Sequence, residues 1–68
     1  MREQLDTLIT EMVDKGIRYD DARREFERCF IHRVLARSNG SLVHAAELLG
    51  MHRNTLTRKL AEYRIKRG

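Results

Sequence analysis

Three interruptions decide what this chain can fold into. Gly16, the Asn39-Gly40 pair and Gly50 each follow a stretch whose apolar residues recur at helical spacing, and the chain contains no proline. Glycine and asparagine tolerate the left-handed backbone that ends a helix. The spacing therefore predicts an all-α chain of four helices cut at those points. The first runs from about Arg2 to Asp14, where Leu5, Leu8, Ile9, Met12 and Val13 form one stripe at i, i+3, i+4, i+7 and i+8. The second opens with Asp20 as its expected N-cap and Asp21 in its first turn, and runs to about Ser38. The third is short, with Ser41 as N-cap and Ala45, Ala46, Leu48 and Leu49 as its apolar residues. The fourth spans about His52 or Arg53 to Tyr63 or Arg64, with Leu56, Leu60 and Tyr63 on the core side and Asn54, Thr57, Arg58 and Ala61 opposite. Lys66 and Arg67 are read as a fraying basic tail.

The second helix carries too much apolar surface for one partner. At 100° per residue, Ala22, Phe26, Cys29, Phe30 and Val34 cover one broad arc, and Ile31 and Leu35 carry it to the far side. Only the sector of Glu25, Arg28 and His32 stays polar. Such a helix is packed from more than one direction, and 68 residues supply little material to do so. A chain this small buries only about 60% of its unfolded surface and is marginal alone. The single cysteine, Cys29, excludes an internal disulfide framework and suits a reducing cytoplasm. Homodimerisation is the expected remedy. The first two helices of each chain would form a four-helix core through Leu5, Leu8, Ile9, Met12, Phe26, Phe30 and Val34.

Charge divides the chain in the same way. Residues 1–38 carry eight basic and eight acidic side chains, whereas residues 39–68 carry six basic and two acidic, so the whole net charge of +4 lies in the second part. A neutral front that assembles and a basic back that meets a polyanion are the expectation. Two short helices joined by a Gly-containing turn form the helix-turn-helix pattern. Ala45 and Ala46 permit a close crossing, Gly50 supplies the turn conformation, and Met51 fills the corner. Arg53, at the start of the last helix, has the fork that chelates guanine O6 and N7. Thr55, Arg58 and Lys59 can reach phosphates, and the helix N-terminus favours one.

The stretch AAELLGMHRNTLTRKL, residues 45–60, closely resembles the Fis family of bacterial DNA-binding domains, a module that also ends enhancer-binding activators of the nitrogen-regulation type. The likeness extends over residues 39–64, and REFERCFIHRVLARSNG resembles the family's long dimer helix. The resemblance implies a single Fis-like domain over residues 1–68, with intertwined dimerisation helices in 1–38 and a helix-turn-helix in 41–64. It implies two recognition helices spaced more closely than one DNA turn, so that the DNA bends or its minor groove narrows. It makes Arg53 the main base-reading residue with His52 beside it. Thr55, Arg58 and Lys59 fall on the backbone, helped by Ser41 and His44. Asn54 and Thr57 complete the DNA-facing set. His52 stands where the family usually has Asn or Ser, Thr57 where Fis has a long basic side chain, and Val43 where Fis has a hydroxyl residue. The β-hairpin arm through which Fis activates recombinases has no counterpart in residues 1–19.

The expected function is thus a homodimeric regulator of transcription or a DNA-bending nucleoid protein of the bacterial cytoplasm, binding double-stranded DNA. The opening Met and well-formed first helix favour a standalone chain; the alternative is the C-terminal domain of a larger enhancer-binding activator. A further alternative is a helical adaptor for an acidic protein or RNA. Catalysis is not expected, since no nucleophile–base set is visible. No metal, cofactor or small-molecule ligand is expected either: Cys29 and His32 lie three apart on a helix, but no second ligand pair accompanies them. The first helix's acidic flanks (Glu3, Asp6, Glu11 and Asp14) argue against an anionic membrane surface.

Overall fold

A computed structural model describes residues 1–65; the expected basic tail, Lys66 and Arg67, lies outside the described residues. Four helices follow one another: α1 (Arg2–Asp14), α2 (Tyr19–Arg37), α3 (Leu42–Leu49) and α4 (Arg53–Tyr63). The predicted boundaries hold to within one residue, except at the start of α2, which comes two residues earlier. There Arg18 takes the cap position in an extended conformation, with no side-chain cap bond. Asp20 lies inside the first turn instead, where its carboxylate accepts hydrogen bonds from the Arg23 guanidinium. It and Asp21 still face the positive end of the helix dipole.

All four helices stop by the same device. A residue in the left-handed region follows each one: Gly16 (φ 74°), Asn39 (φ 54°), Gly50 (φ 71°) and Arg64 (φ 55°). The next amide then donates five residues back: Ile17 to Met12, Gly40 to Leu35, Met51 to Ala46 and Ile65 to Leu60, at 2.9–3.1 Å. This bond satisfies a carbonyl that the helix itself leaves unpaired. It also folds Met51 and Ile65 back onto the core, against which both pack.

The core is Ile31 and Leu35 of α2, Ala45 and Ala46 of α3, and Leu56 and Leu60 of α4. Val34, Leu42, Leu49 and Met51 surround it. The two alanines are almost wholly enclosed; their small side chains let α3 lie close to both neighbours. Ser38 is also buried, and its hydroxyl donates to the Val34 carbonyl at 2.8 Å.

The two faces of α2 have different fates. Ile31 and Leu35 are closed over by α3 and α4, whereas Phe26 and Phe30 remain 55% and 49% exposed. Their rings lie 5.4 Å apart and form a ridge. On one side of it, Leu5, Leu8, Ile9 and Met12 of α1 face Ala22, Phe26 and Cys29 across an apolar trough of about 510 Å³. No residue of α1 is buried. Of the seven side chains expected at a dimer interface, Leu5, Leu8, Ile9, Phe26 and Phe30 are exposed, and Met12 and Val34 are half-buried.

Candidate nucleic-acid interface

α3 and α4 begin side by side. Between their first turns lies a shallow polar groove of about 460 Å³, lined by Ser41, Leu42 and Val43 from α3 and Arg53, Asn54 and Thr57 from α4. Each of these helix starts is capped by the residue before it. The Ser41 hydroxyl accepts from the His44 amide at 3.3 Å, as the sequence predicts. His52 accepts from the Asn54 amide through Nδ1 at 3.0 Å. The ring nitrogen thus does what an Asn or Ser oxygen would do at this position. The bond requires a neutral ring with its proton on Nε2, because a protonated Nδ1 has no lone pair to offer. Asn54 is fixed through its backbone, and its side chain is left exposed.

The turn between the two helices rests on Gly50. A Cβ built there would meet nothing within 4 Å, so the requirement is conformational: its φ of 71° is one that side chains disfavour. Met51 then fills the corner against the core. The outcome is that Leu56 and Leu60 point inward, while Arg53, Asn54, Thr57 and Arg58 are exposed. Thr57 is held by its own hydroxyl, which donates to the Arg53 carbonyl at 3.0 Å. His44 is exposed on α3, and Thr55 is half-buried on the other flank of α4.

The family resemblance puts Lys59 on the DNA backbone; in the structure its side chain turns toward α2 and forms an ion pair with Glu27. Glu27 also accepts from Arg23 at 3.2 Å. The bond from Lys59 holds the Glu27 carboxyl below its ordinary value of 4.5, against the opposing effect of burial. Beside it, burial pushes the Tyr63 hydroxyl up, and the Glu27 charge adds to the shift, although the two are not in hydrogen-bonding geometry. One turn away, Arg24 pairs with Glu62 at 3.2 Å and lies over the Tyr63 ring at 5.3 Å. Sequence reasoning passed over Glu27, and the one signal was its place inside the apolar arc of α2.

The electrostatic result is a division between two sides of α4. Lys59 and Glu62 are tied to α2. Among the described residues, Arg53 and Arg58 are paired with no acid. Two uncompensated guanidiniums, two capped helix starts and a row of short hydroxyl and amide side chains thus share one face. That combination suits a polyanion with readable edges. The described residues contain no cluster of three or more potential metal ligands, and no helix among them is long and apolar enough to cross a membrane.

Comparison with known proteins agrees with this geometry. The profile of the Fis family of bacterial regulatory proteins matches residues 22–63, which is α2 through α4 almost complete. The chain is 39% identical over 62 residues to the DNA-binding transcriptional regulator NtrC of Escherichia coli K12, covering 82% of this chain and 13% of that protein. It is 42% identical over 48 residues to NtrC of Azospirillum brasilense and 49% identical over 47 residues to that of Proteus hauseri, in each case about 10% of the relative. The chain therefore spans only about an eighth or less of the curated relatives it matches. No solved structure matches it at the same standard. The chain belongs to the Fis family of bacterial regulatory proteins, and α3 and α4 are its helix-turn-helix.

Proposed function

We propose that the chain is a homodimeric double-stranded-DNA-binding domain that acts in transcription regulation, with α4 as the recognition helix in the major groove. The observation that carries this reading is the unpaired face of Arg53, Asn54, Thr57 and Arg58 beside two capped helix starts. In this reading Arg53 and His52 contact base edges, and Arg58, Thr55, Ser41 and His44 contact the backbone, with Asn54 and Thr57 between them. Affinity comes mainly from phosphate neutralisation and falls steeply with salt. Shape and bendability of the DNA add to site choice. The working place is the nucleoid of a bacterial cytoplasm.

Two quantities support the dimer. The radius of gyration is 13.4 Å, against about 11 Å for a compact chain of this length. The accessible surface is 5739 Å², about 1,200 Å² above that of a typical folded monomer of this mass. That excess exceeds the roughly 800 Å² each partner contributes to a standard interface. The Phe26–Phe30 ridge and the trough beside α1 are the apolar surface that a second copy would cover.

A second reading keeps the module and enlarges the protein. The NtrC relatives are about eight to ten times longer than the matched segment, which favours this chain's being the DNA-binding part of a larger enhancer-binding regulator. Intact-mass measurement of the native protein separates the two. The binding itself is tested by selecting bound sequences from a random duplex pool, with RNA of equal length as competitor at fixed salt. Recovery of a shared sequence that RNA does not displace supports the reading. Equal displacement by RNA, with no shared sequence, contradicts it in favour of an adaptor for acidic or RNA partners.

A further inference from the structure

The core places α4 by apolar contact with α2 and α3. Leu56 and Leu60 meet Ile31 and Leu35 of α2's second half through apolar contact, which is non-directional. The first half of α2 meets α4 through charged groups: Lys59 on Glu27, and Glu62 and Tyr63 on Arg24. Side chains of Glu27 and Lys59 are 19% and 27% exposed, so this pair is sheltered from the screening that weakens surface pairs. The leverage is large. A swing of about 10° about Lys59 moves the helix at Arg53, six residues or about 9 Å away, by about 1.5 Å. Bidentate base recognition fails at such displacements.

We propose that Glu27 is a positioning residue for DNA recognition: it holds Lys59 against α2, which sets the angle of α4 and withdraws that lysine from the phosphates. The proposal rests on the DNA reading above. It explains why a lysine next to Arg58 points away from the basic face. It also gives Glu27 a role that an apolar residue could not fill, because only an acid at this position draws the Lys59 ammonium onto α2. Arg23 completes the arrangement by holding the other carboxylate oxygen at 3.2 Å, which keeps Glu27 aimed at α4. With its carboxyl held below the ordinary value, Glu27 is ionised at neutral pH.

The test is the salt dependence of duplex affinity, measured on a selected and a random sequence. Four proteins are compared: wild type, Lys59→Met, Glu27→Gln and the swapped pair Glu27→Lys with Lys59→Glu. A lysine bound to a phosphate contributes about 0.9 to the slope of log K against log salt. The expected result is that Lys59→Met leaves the slope unchanged. Glu27→Gln, which frees the lysine, steepens it by about 0.9 per chain and narrows selected-over-random discrimination by about fivefold or more, the low end of what one base pair carries. The swapped pair restores discrimination, which a simple loss of stability would not. A slope that drops by about 0.9 per chain in Lys59→Met, or Glu27→Gln with wild-type slope and discrimination, overturns the proposal while leaving the DNA reading intact. Failure of wild type to prefer any duplex overturns both. Lys59→Met and the swapped pair keep the test decisive if Glu27→Gln does not fold.

Discussion

His52 and Gly50 stand on either side of Met51, and each answers a different backbone demand. Gly50 meets a demand of conformation, with open space where a Cβ would be. Gly50→Ala is therefore expected to cost about 1 kcal/mol through the left-handed angle alone, measured by denaturant unfolding. His52 meets a demand of hydrogen bonding through Nδ1. His52→Ala should lower stability by about 1 kcal/mol, and His52→Asn should restore most of it, seen in the same unfolding curves. Arg53 contributes nothing comparable to folding, since it is exposed and unpaired among the described residues. Its removal should act on DNA alone. At this scale the sequence was most legible where the chemistry is local. Ser41 as a cap three residues before the His44 amide it accepts from, and Gly50 as a stop, need only their neighbours. Asp20 is not the cap its residue type suggests, because the helix starts earlier, at Tyr19, and its carboxylate accepts from Arg23 instead of the backbone.

Pairing between helices was less legible, and α4 is the clearest case. Its two-sided pattern was visible in the spacing of Leu56, Leu60 and Tyr63. The direction of Lys59 was not, because Glu27 lies far away in sequence and only the packing of α2 on the helix-turn-helix brings them together. The pair has a pH signature of definite sign. A carboxyl held below 4.5 in the fold binds its proton less readily there than in the unfolded chain. Its contribution to stability is thus fully present above about pH 4.5 and is lost as pH falls through the lower folded value. Wild type should lose stability on acidification below that point more steeply than Glu27→Gln. At neutral pH the same variant should be less stable than wild type by about 1–2 kcal/mol, since it leaves Lys59 half-buried with a weaker partner. Parallel urea titrations from pH 3 to 7 read both effects. Equal pH profiles for the two proteins would show that the pair is not formed.

The whole molecule presents two surfaces that do not compete. The face of Arg53 and Arg58 is polar and basic, and the Phe26–Phe30 ridge with the α1 trough is apolar. The sequence separated them through the two-faced pattern of α2 and the concentration of charge after residue 38. Periodicity does not show which apolar face of α2 the chain covers for itself, because Ile31 and Leu35 continue the arc of Phe26, Phe30 and Val34; α3 and α4 settle it by closing over Ile31 and Leu35. Phe26→Glu and Phe30→Glu should therefore give a monomer by sedimentation equilibrium that keeps its helix-turn-helix core, since that core uses neither ring. Its melting temperature should also lose the dependence on protein concentration expected of wild type. Duplex affinity should fall sharply in these variants, because two linked recognition helices bind far more tightly than one. The central claim, that α4 reads DNA through Arg53, is tested most directly by fluorescence anisotropy with a selected and a random duplex at matched salt. The account predicts that Arg53→Ala loses about 1–3 kcal/mol on the selected duplex and tolerates any base at one position. If Arg53→Ala binds both duplexes just as wild type does, α4 is not the reading element and the account is wrong.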